Sequence, residues 1–225
     1  MHDDLNREIS ETRCRARPLA SGQARFASGE VAAILLASGD SKRFGKNDKL
    51  AFPFRGKPLA LYALELVSKL EFPAGIFFVA ASGEVISLAA DFPTINVIKN
   101  NSSFKGQRES VRLGVEAAMD AAYYLFFNCD QPFLDDHTVH LIVNERKKGH
   151  IVEPRYQGEP GNPCLFSADF REELLSLKEG ETPRIIKTRH PEAVKIVEVF
   201  SPLVLKDIDD METIGLLEKI AGSSV

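Results

Sequence analysis

Between Ala37 and Leu50 the chain places two glycines (Gly39, Gly45), two hydroxyls (Ser38, Ser41) and four cations (Lys42, Arg43, Lys46, Lys49) in one turn-rich stretch. Glycines let backbone N–H groups come close to an anion and the cations neutralise it, so this is the composition of a phosphate site. Taken alone, the stretch reads equally well as a basic, solvated turn. The spacing excludes two common phosphate loops. Gly39 and Gly45 have five residues between them, where a Walker A loop has four, and Asn47 stands where that loop needs a hydroxyl after its lysine. Nor does the chain carry a G-x-G-x-x-G dinucleotide fingerprint.

Two acidic segments complement the basic one. N-C-D-Q-P-F-L, Asn128 to Leu134, follows an apolar strand-length run, so Asp130 emerges at a strand's carboxyl end. D-I-D-D, Asp207 to Asp210, follows a further apolar segment; in isolation it also reads as the N-cap of the last helix. Mg²⁺ is held by one or two carboxylates together with phosphate oxygens and water, so two separated acidic strand ends make a plausible metal cradle for a phosphorylated ligand.

These groups need a scaffold that brings strand ends together. V-A-A-I-L-L-A from Val31 is a continuous apolar run of buried-strand type, and Pro58 opens a helix whose Leu59, Ala63, Leu66, Val67 and Leu70 fall at helical spacing. The alternation continues with strands at Gly75–Ala80, Asn96–Lys99 and Tyr123–Asn128. Helices are expected near Glu84–Ala90, Glu109–Met119 and Asp135–Lys148. After His150 come I-V-E-P, a Gly/Pro-rich loop, a strand C-L-F, a helix around Ala168–Leu177, a strand at Ala193–Val199 and a last helix. Short apolar strands separated by amphipathic helices predict an α/β fold. We expect a doubly wound, mainly parallel sheet with helices on both faces.

Length and composition set limits. At 225 residues, with 44% hydrophobic and 27% charged, the chain suits a single domain, expected over 30–225. Residues 1–29 are polar and aperiodic and read as a flexible extension. The net charge of −4 argues against a nucleic-acid partner. No apolar run reaches the ~20 residues of a membrane span, and the first residues lack the order of a secretory signal. Cys14, Cys129 and Cys164 form no C-x-x-C pair, which suits a reducing compartment, and the expectation is a cytoplasmic protein. His137 and His140 lie at helical spacing with no third ligand and read as surface-helix residues.

The set L-A-S-G-D-S-K-R-F-G, K-L and G-K-P-L resembles the L-A-A-G-x-S-x-R-M-G…K-L…G-K-P-L signature of nucleotidylyltransferases related to the molybdenum cofactor cytidylyltransferases. Four further segments follow in order. F-K-G-Q-R-E-S-V-R-L-G (Phe104–Gly114) is similar to G-x-S-x-S-x-R-x-G, and C-D-Q-P-F-L to D-Q-P. G-E-P-G-N-P-C-L-F (Gly158–Phe166) resembles R-G-N-P-V-L-F, and K-D-I-D-D-M-E-T-I the closing D-I-D-T-P-E-D. The resemblance spans about 31–217. This chain departs from it at Ser38, usually Ala, at Arg108, where a small hydroxyl residue is common, and at E-G-E-T-P-R, which matches G-D-x-G-A-R only loosely.

The resemblance implies a Rossmann-like fold of the nucleotide-diphospho-sugar transferase type and a Mg²⁺-dependent nucleotidylyltransferase. It places Ala37, Ser38, Gly39, Ser41, Arg43, Lys49, Gly106 and Ser110 at the nucleotide. Lys49, Arg43 and Asp130 become the catalytic group, Asp130 and Asp209 the metal ligands, with Asp207 less securely, and Gly161 and Asn162 the acceptor contacts. The implied partners are CTP and molybdopterin or the molybdenum cofactor, with a molybdenum hydroxylase as client. Guanylyl transfer, sugar-1-phosphate nucleotidyl transfer and a non-catalytic cofactor chaperone remain rivals at this stage.

Overall fold

The computed structural model describes residues 30–38 and 48–210, together with residues 213 and 215. In chain order its strands are β1 (Val31–Ala37), β2 (Pro53–Phe54), β3 (Lys57–Pro58), β4 (Ile76–Ala80) and β5 (Ile95–Lys99). They continue with β6 (Tyr123–Asn128), β7 (Ile151–Tyr156), β8 (Glu159–Pro160), β9 (Cys164–Ser167) and β10 (Val194–Glu198). The α-helices are α1 (Leu59–Ser68), α2 (Gly83–Ser87), α3 (Gln107–Ala117), α4 (Asp136–Asn144), α5 (Arg171–Leu175) and α6 (Arg184–Arg189).

The main sheet runs β10-β7-β9-β6-β1-β4-β5, with β8 paired to β7. β1 pairs in parallel with β4 on one edge and β6 on the other, and β4 pairs in parallel with β5. β9 is antiparallel to both its neighbours, so the sheet is mixed but mostly parallel. The chain builds outward from β1 to β4 and β5, then returns to lay β6 on the other side of β1. That reversal opens a crevice beyond the carboxyl ends of β1 and β6, where ligands bind in open sheets of this kind.

Period-two alternation along β1 explains the two core layers. Val31, Ala33, Leu35 and Ala37 pack on one face with Leu59, Ala63, Leu64 and Val67 of α1 and Val139, Ile142 and Val143 of α4. Ala32 and Ile34 face the other way, onto Val111 and Val115 of α3, Leu174 of α5 and Ile186 of α6. With both faces covered, the strand has to read as an unbroken apolar run. Gly114 marks how closely α3 approaches, because a Cβ there would lie 2.4 Å from Ile34 Cγ2.

The expected strands and helices are present, with shifted limits. The helix expected from Asp135 to Lys148 ends at Asn144, and the one expected over Ala168–Leu177 is a 3₁₀ turn (Ala168–Phe170) followed by the short α5. The β2–β3 hairpin and α6 lie where only loop is expected. The 1–29 extension, most of the expected last helix and residues 39–47 lie outside the described residues.

Candidate active site

Lys49 is presented by a small, locally determined turn. Asp48 caps the 3₁₀ segment Lys49–Ala51 by accepting from Leu50 N at 3.0 Å, and Leu50 is buried as the apolar anchor. The hairpin that follows turns through Arg55 and Gly56, both at positive φ (49° and 82°), the pattern of a two-residue hairpin turn that favours glycine. Leu59 N then donates to Phe52 O at 3.0 Å and ties the start of α1 back onto the turn. The G-K-P-L segment thus does structural work, setting the position of the lysine before it.

The Lys49 ammonium lies 2.7 Å from Asp130 Oδ2 and 3.5 Å from Asp209 Oδ1. Burial pulls the Lys49 pKa down, but the Asp130 carboxylate and its hydrogen bond, helped by Asp209, outweigh that effect and leave it raised. Asp130 leaves the end of β6 directly after the buried Cys129, and its backbone carbonyl accepts from Ile208 N at 2.9 Å. Gln131 Nε2 donates to Leu205 O at 3.0 Å. These two bonds pin the Asp207–Asp210 segment beside Asp130. Within that segment the roles divide: Asp210 Oδ1 caps the last helix by accepting from Thr213 N at 2.7 Å, Asp209 is largely exposed, and Asp207 is half-buried. Burial raises the Asp207 carboxyl to about 7, and the neighbouring Asp130 and Asp209 charges push the same way. Asp130 Oδ1 and Asp207 Oδ1 are buried with no hydrogen-bond partner among the described residues.

Ala37 is buried at the end of β1, and Ser38 follows it with its hydroxyl donating to Val79 O at 3.0 Å. Gly106, at φ +82°, opens α3 with free space where a side chain would stand. Ser110 is only 2% exposed, and its Oγ accepts from Asn100 Nδ2 at 3.0 Å, so in this structure it braces the loop after β5 from within. Gly161 packs so tightly on the turn before the acidic segment that a Cβ would sit 2.7 Å from Leu205 Cδ1. Gly39, Ser41 and Arg43 lie outside the described residues.

Gly161 and Asn162 line a cavity of about 230 Å³ together with Leu36, Phe126 and Asn128, on the face of β1 and β6 that looks toward α3 and α6. It lies close to the acidic cluster, since its lining residue Gly161 packs on Leu205, whose carbonyl accepts from Gln131 next to Asp130. A larger cavity of about 560 Å³, bordered by Glu30, Tyr123 and Arg171, sits at the amino ends of the same strands, away from these groups. His137 and His140 lie on α4, with His140 Nδ1 2.6 Å from Asp136 O, and no cluster of three or more metal-ligating side chains is found among the described residues. Cys129 and Cys164 are buried free thiols whose pKa values burial raises.

Asn100, Gln131, Glu153 and Lys187 also shape this end of the molecule and were not singled out from sequence. Glu153 left a signal, an acid within the apolar I-V-E-P run, but its partner Lys187 lies 34 residues away along the chain. No helix among the described residues is long and apolar enough to cross a membrane.

Comparison with known proteins places this geometry among relatives. The MobA-like NTP transferase domain matches residues 33–194. The chain is 24% identical to a nicotine blue oxidoreductase of Paenarthrobacter nicotinovorans, over 81% of this chain and 93% of that protein. It is 23% identical to a molybdenum cofactor guanylyltransferase of Ralstonia pickettii (strain 12J), over 68% of this chain and 78% of the relative. Among solved structures, a nucleotidyl transferase from Methanothermobacter thermautotroptrophicus superposes with a TM-score of 0.72 at 19% identity, covering 88% of this chain and all of that one. A Mycobacterium tuberculosis H37Rv protein solved in complex with manganese superposes with a TM-score of 0.65 at 19% identity, covering 87% of this chain and 100% of its own. The fold is that of the nucleotide-diphospho-sugar transferases.

Proposed function

This chain belongs to the MobA-like NTP transferase family, and we propose that it transfers CMP from CTP to molybdopterin, or to its molybdenum-loaded form, with release of pyrophosphate. The observation that carries the reading is the Lys49–Asp130–Asp209 cluster at the carboxyl end of β6, the strand paired with β1. The oxidoreductase activity in the name of one relative stays with that relative.

The residues present fit a magnesium ion. Two buried carboxylate oxygens, Asp130 Oδ1 and Asp207 Oδ1, lack partners among the described residues, and Asp209 offers a solvent-facing carboxylate beside them. One or two hard carboxylate donors suit Mg²⁺, which completes its shell with water and phosphate oxygens. Asp130 and Asp209 would hold it, with Asp207 behind them; bound there, the ion supplies charge neutralisation of the nucleotide's phosphate oxygens.

The chain's own groups position and neutralise. Gly39, Ser41 and Arg43 cradle the triphosphate. Ala37, Ser38 and Gly106 border the nucleoside, with Ser110 bracing the adjoining loop through Asn100. Lys49, whose positive charge the neighbouring carboxylates stabilise, serves the α-phosphoryl group. An acceptor phosphate oxygen attacks the α-phosphorus in line; the new P–O bond forms as the bond to the α–β bridging oxygen breaks, and pyrophosphate leaves with that electron pair. Such a transfer needs alignment and charge stabilisation and no protein nucleophile. Incubating the protein with molybdopterin, Mg²⁺ and each NTP in turn, while following pyrophosphate and dinucleotide, tests the reading. Guanylyl transfer is the second reading, favoured by the relative named molybdenum cofactor guanylyltransferase; the same assay separates the two.

A further inference from the structure

The 230 Å³ cavity beside the acidic cluster has a charge pattern the transfer reaction alone does not require. Among the described residues its charged lining residues are Arg184 and Lys187, both from α6, and no carboxylate lines it. Lys187 is held from behind. Its ammonium is ion-paired with Glu153 Oε1 and lies 3.5 Å from Cys164 Sγ, itself a lining residue. Glu153 is 3% exposed, and its other oxygen is taken by Arg155 at 2.8 Å, so one buried carboxylate is shared by two cations. The Arg184 guanidinium has no ion-pair partner among the described residues. The balance around the cavity is therefore positive.

A pair that only clamped α6 onto β7 would not need this surplus. Buried ion pairs contribute little net stability compared with apolar replacements of similar volume, and Arg184, exposed at the start of α6, adds a second cation at the rim of the cavity. The remaining lining is mixed. Phe126 and Phe166 offer apolar surface, and Asn128, Asn162 and Thr182 offer hydrogen-bonding groups, which suits a flat polar ring system.

Resting on the nucleotidyl-transfer reading, we propose that Arg184 and Lys187 form an anion clamp on the α6 wall of the acceptor subsite. The acceptor then carries a second anionic group, besides the phosphate that reacts, and that group seats on the two cations. Glu153 is a positioning residue, fixing the lysine so that its charge faces the cavity and not solvent.

Two measurements separate this inference from the reading beneath it. In steady-state assays with molybdopterin and CTP, Lys187→Met and Arg184→Met should each raise the acceptor KM by about 10–100-fold, the effect of one charge-assisted hydrogen bond. The KM for CTP should stay within about twofold. Lys187→Arg should restore most of the loss, and Glu153→Gln should give an intermediate rise. The second measurement needs no turnover: the rise in Tm with added inorganic phosphate, compared between wild type and variants. The half-saturating phosphate concentration should rise at least about tenfold in Lys187→Met, by mass action on one binding site. The double variant Glu153→Gln/Lys187→Met, which removes the buried carboxylate together with the lysine and leaves the partly exposed Arg155 to solvent, should show the same phosphate response if Lys187→Met folds poorly. Absence of pyrophosphate release from every NTP with the wild type would overturn the nucleotidyl-transfer reading and leave the phosphate test standing. Unchanged acceptor KM in an active enzyme, or an unchanged phosphate response, would overturn the clamp.

Discussion

The ammonium of Lys49 lies 2.7 Å from a carboxylate oxygen of Asp130, although 81 residues separate the two in sequence. One comes from a turn after β1 and the other from the end of β6, so their meeting follows from the parallel pairing of those strands. If the pair serves phosphoryl chemistry, its two halves should fail differently. Lys49→Ala should lower kcat more than it raises the KM for CTP, because a group aimed at the reacting phosphate acts mainly in the transition state. Arg43→Ala should show mainly in KM. A Lys49→Ala enzyme with normal kcat and a raised KM would make the lysine a ground-state tether.

The carboxylates make a second test. Asp130→Ala and Asp209→Ala should each reduce Mg²⁺-dependent turnover by ~10²–10³, the usual loss when one charge-stabilising partner is removed. Circular dichroism and Tm should show a folded protein in both variants. Normal turnover in either would remove that residue from the metal site.

Asp207 predicts a pH dependence of stability. Its folded pKa, about 7, lies above the ordinary 3.8, so the folded state holds the proton more tightly than the unfolded one. Its contribution is most favourable below about pH 4 and is lost as pH rises toward 7, levelling off above that. In metal-free buffer, Asp207→Asn should therefore be nearly neutral at pH 4 and stabilising at pH 8. The expected gain is on the order of 1–3 kcal/mol after allowance for residual solvent screening. Thermal melts across that range decide it, and a Tm difference that does not grow with pH would contradict the assignment.

Gly114 gives a purely structural prediction. A methyl group there meets Ile34 Cγ2 at 2.4 Å, inside the fully buried contact between α3 and β1. Gly114→Ala should destabilise by about 1–3 kcal/mol through overpacking, despite the better helix propensity of alanine. Denaturant melts showing equal or greater stability would mean that α3 shifts without cost.

Much of the fold was legible because β1 and β6 are covered on both faces and must read as unbroken apolar runs. The direction of β9 was not, since Cys164–Ser167 carries the same apolar signal whichever way it runs. The short α6 escaped because its apolar content is two adjacent isoleucines, Ile185 and Ile186, which set no helical period. At the site, Lys49, Asp130 and Asp209 were named from sequence and the structure brings them together. Ser110 was named as a nucleotide contact, yet its hydroxyl is turned to the buried Asn100, a partner no local pattern announces. The Glu153–Lys187 pair spans 34 residues and two elements, and only the three-dimensional arrangement reveals it.

Under the cytidylyl reading, base preference is assigned to Ser38, whose hydroxyl donates to Val79 O and keeps the side chain at the strand end. On that assignment its side chain leaves less room for a purine than glycine would at the same position. A small steric group discriminates by on the order of 10–200-fold in kcat/KM. Ser38→Gly should relax selection toward GTP, and an unchanged CTP-to-GTP ratio in the variant would remove Ser38 from base selection.

The central claim is tested most directly by a competition assay on the wild-type protein with molybdopterin, Mg²⁺ and equal CTP and GTP, reading pyrophosphate and the identity of the dinucleotide formed. The account predicts stoichiometric pyrophosphate and a cytosine dinucleotide in excess. A guanine dinucleotide in excess would contradict the cytidylyl assignment, and no dinucleotide from any NTP would contradict transfer to molybdopterin itself.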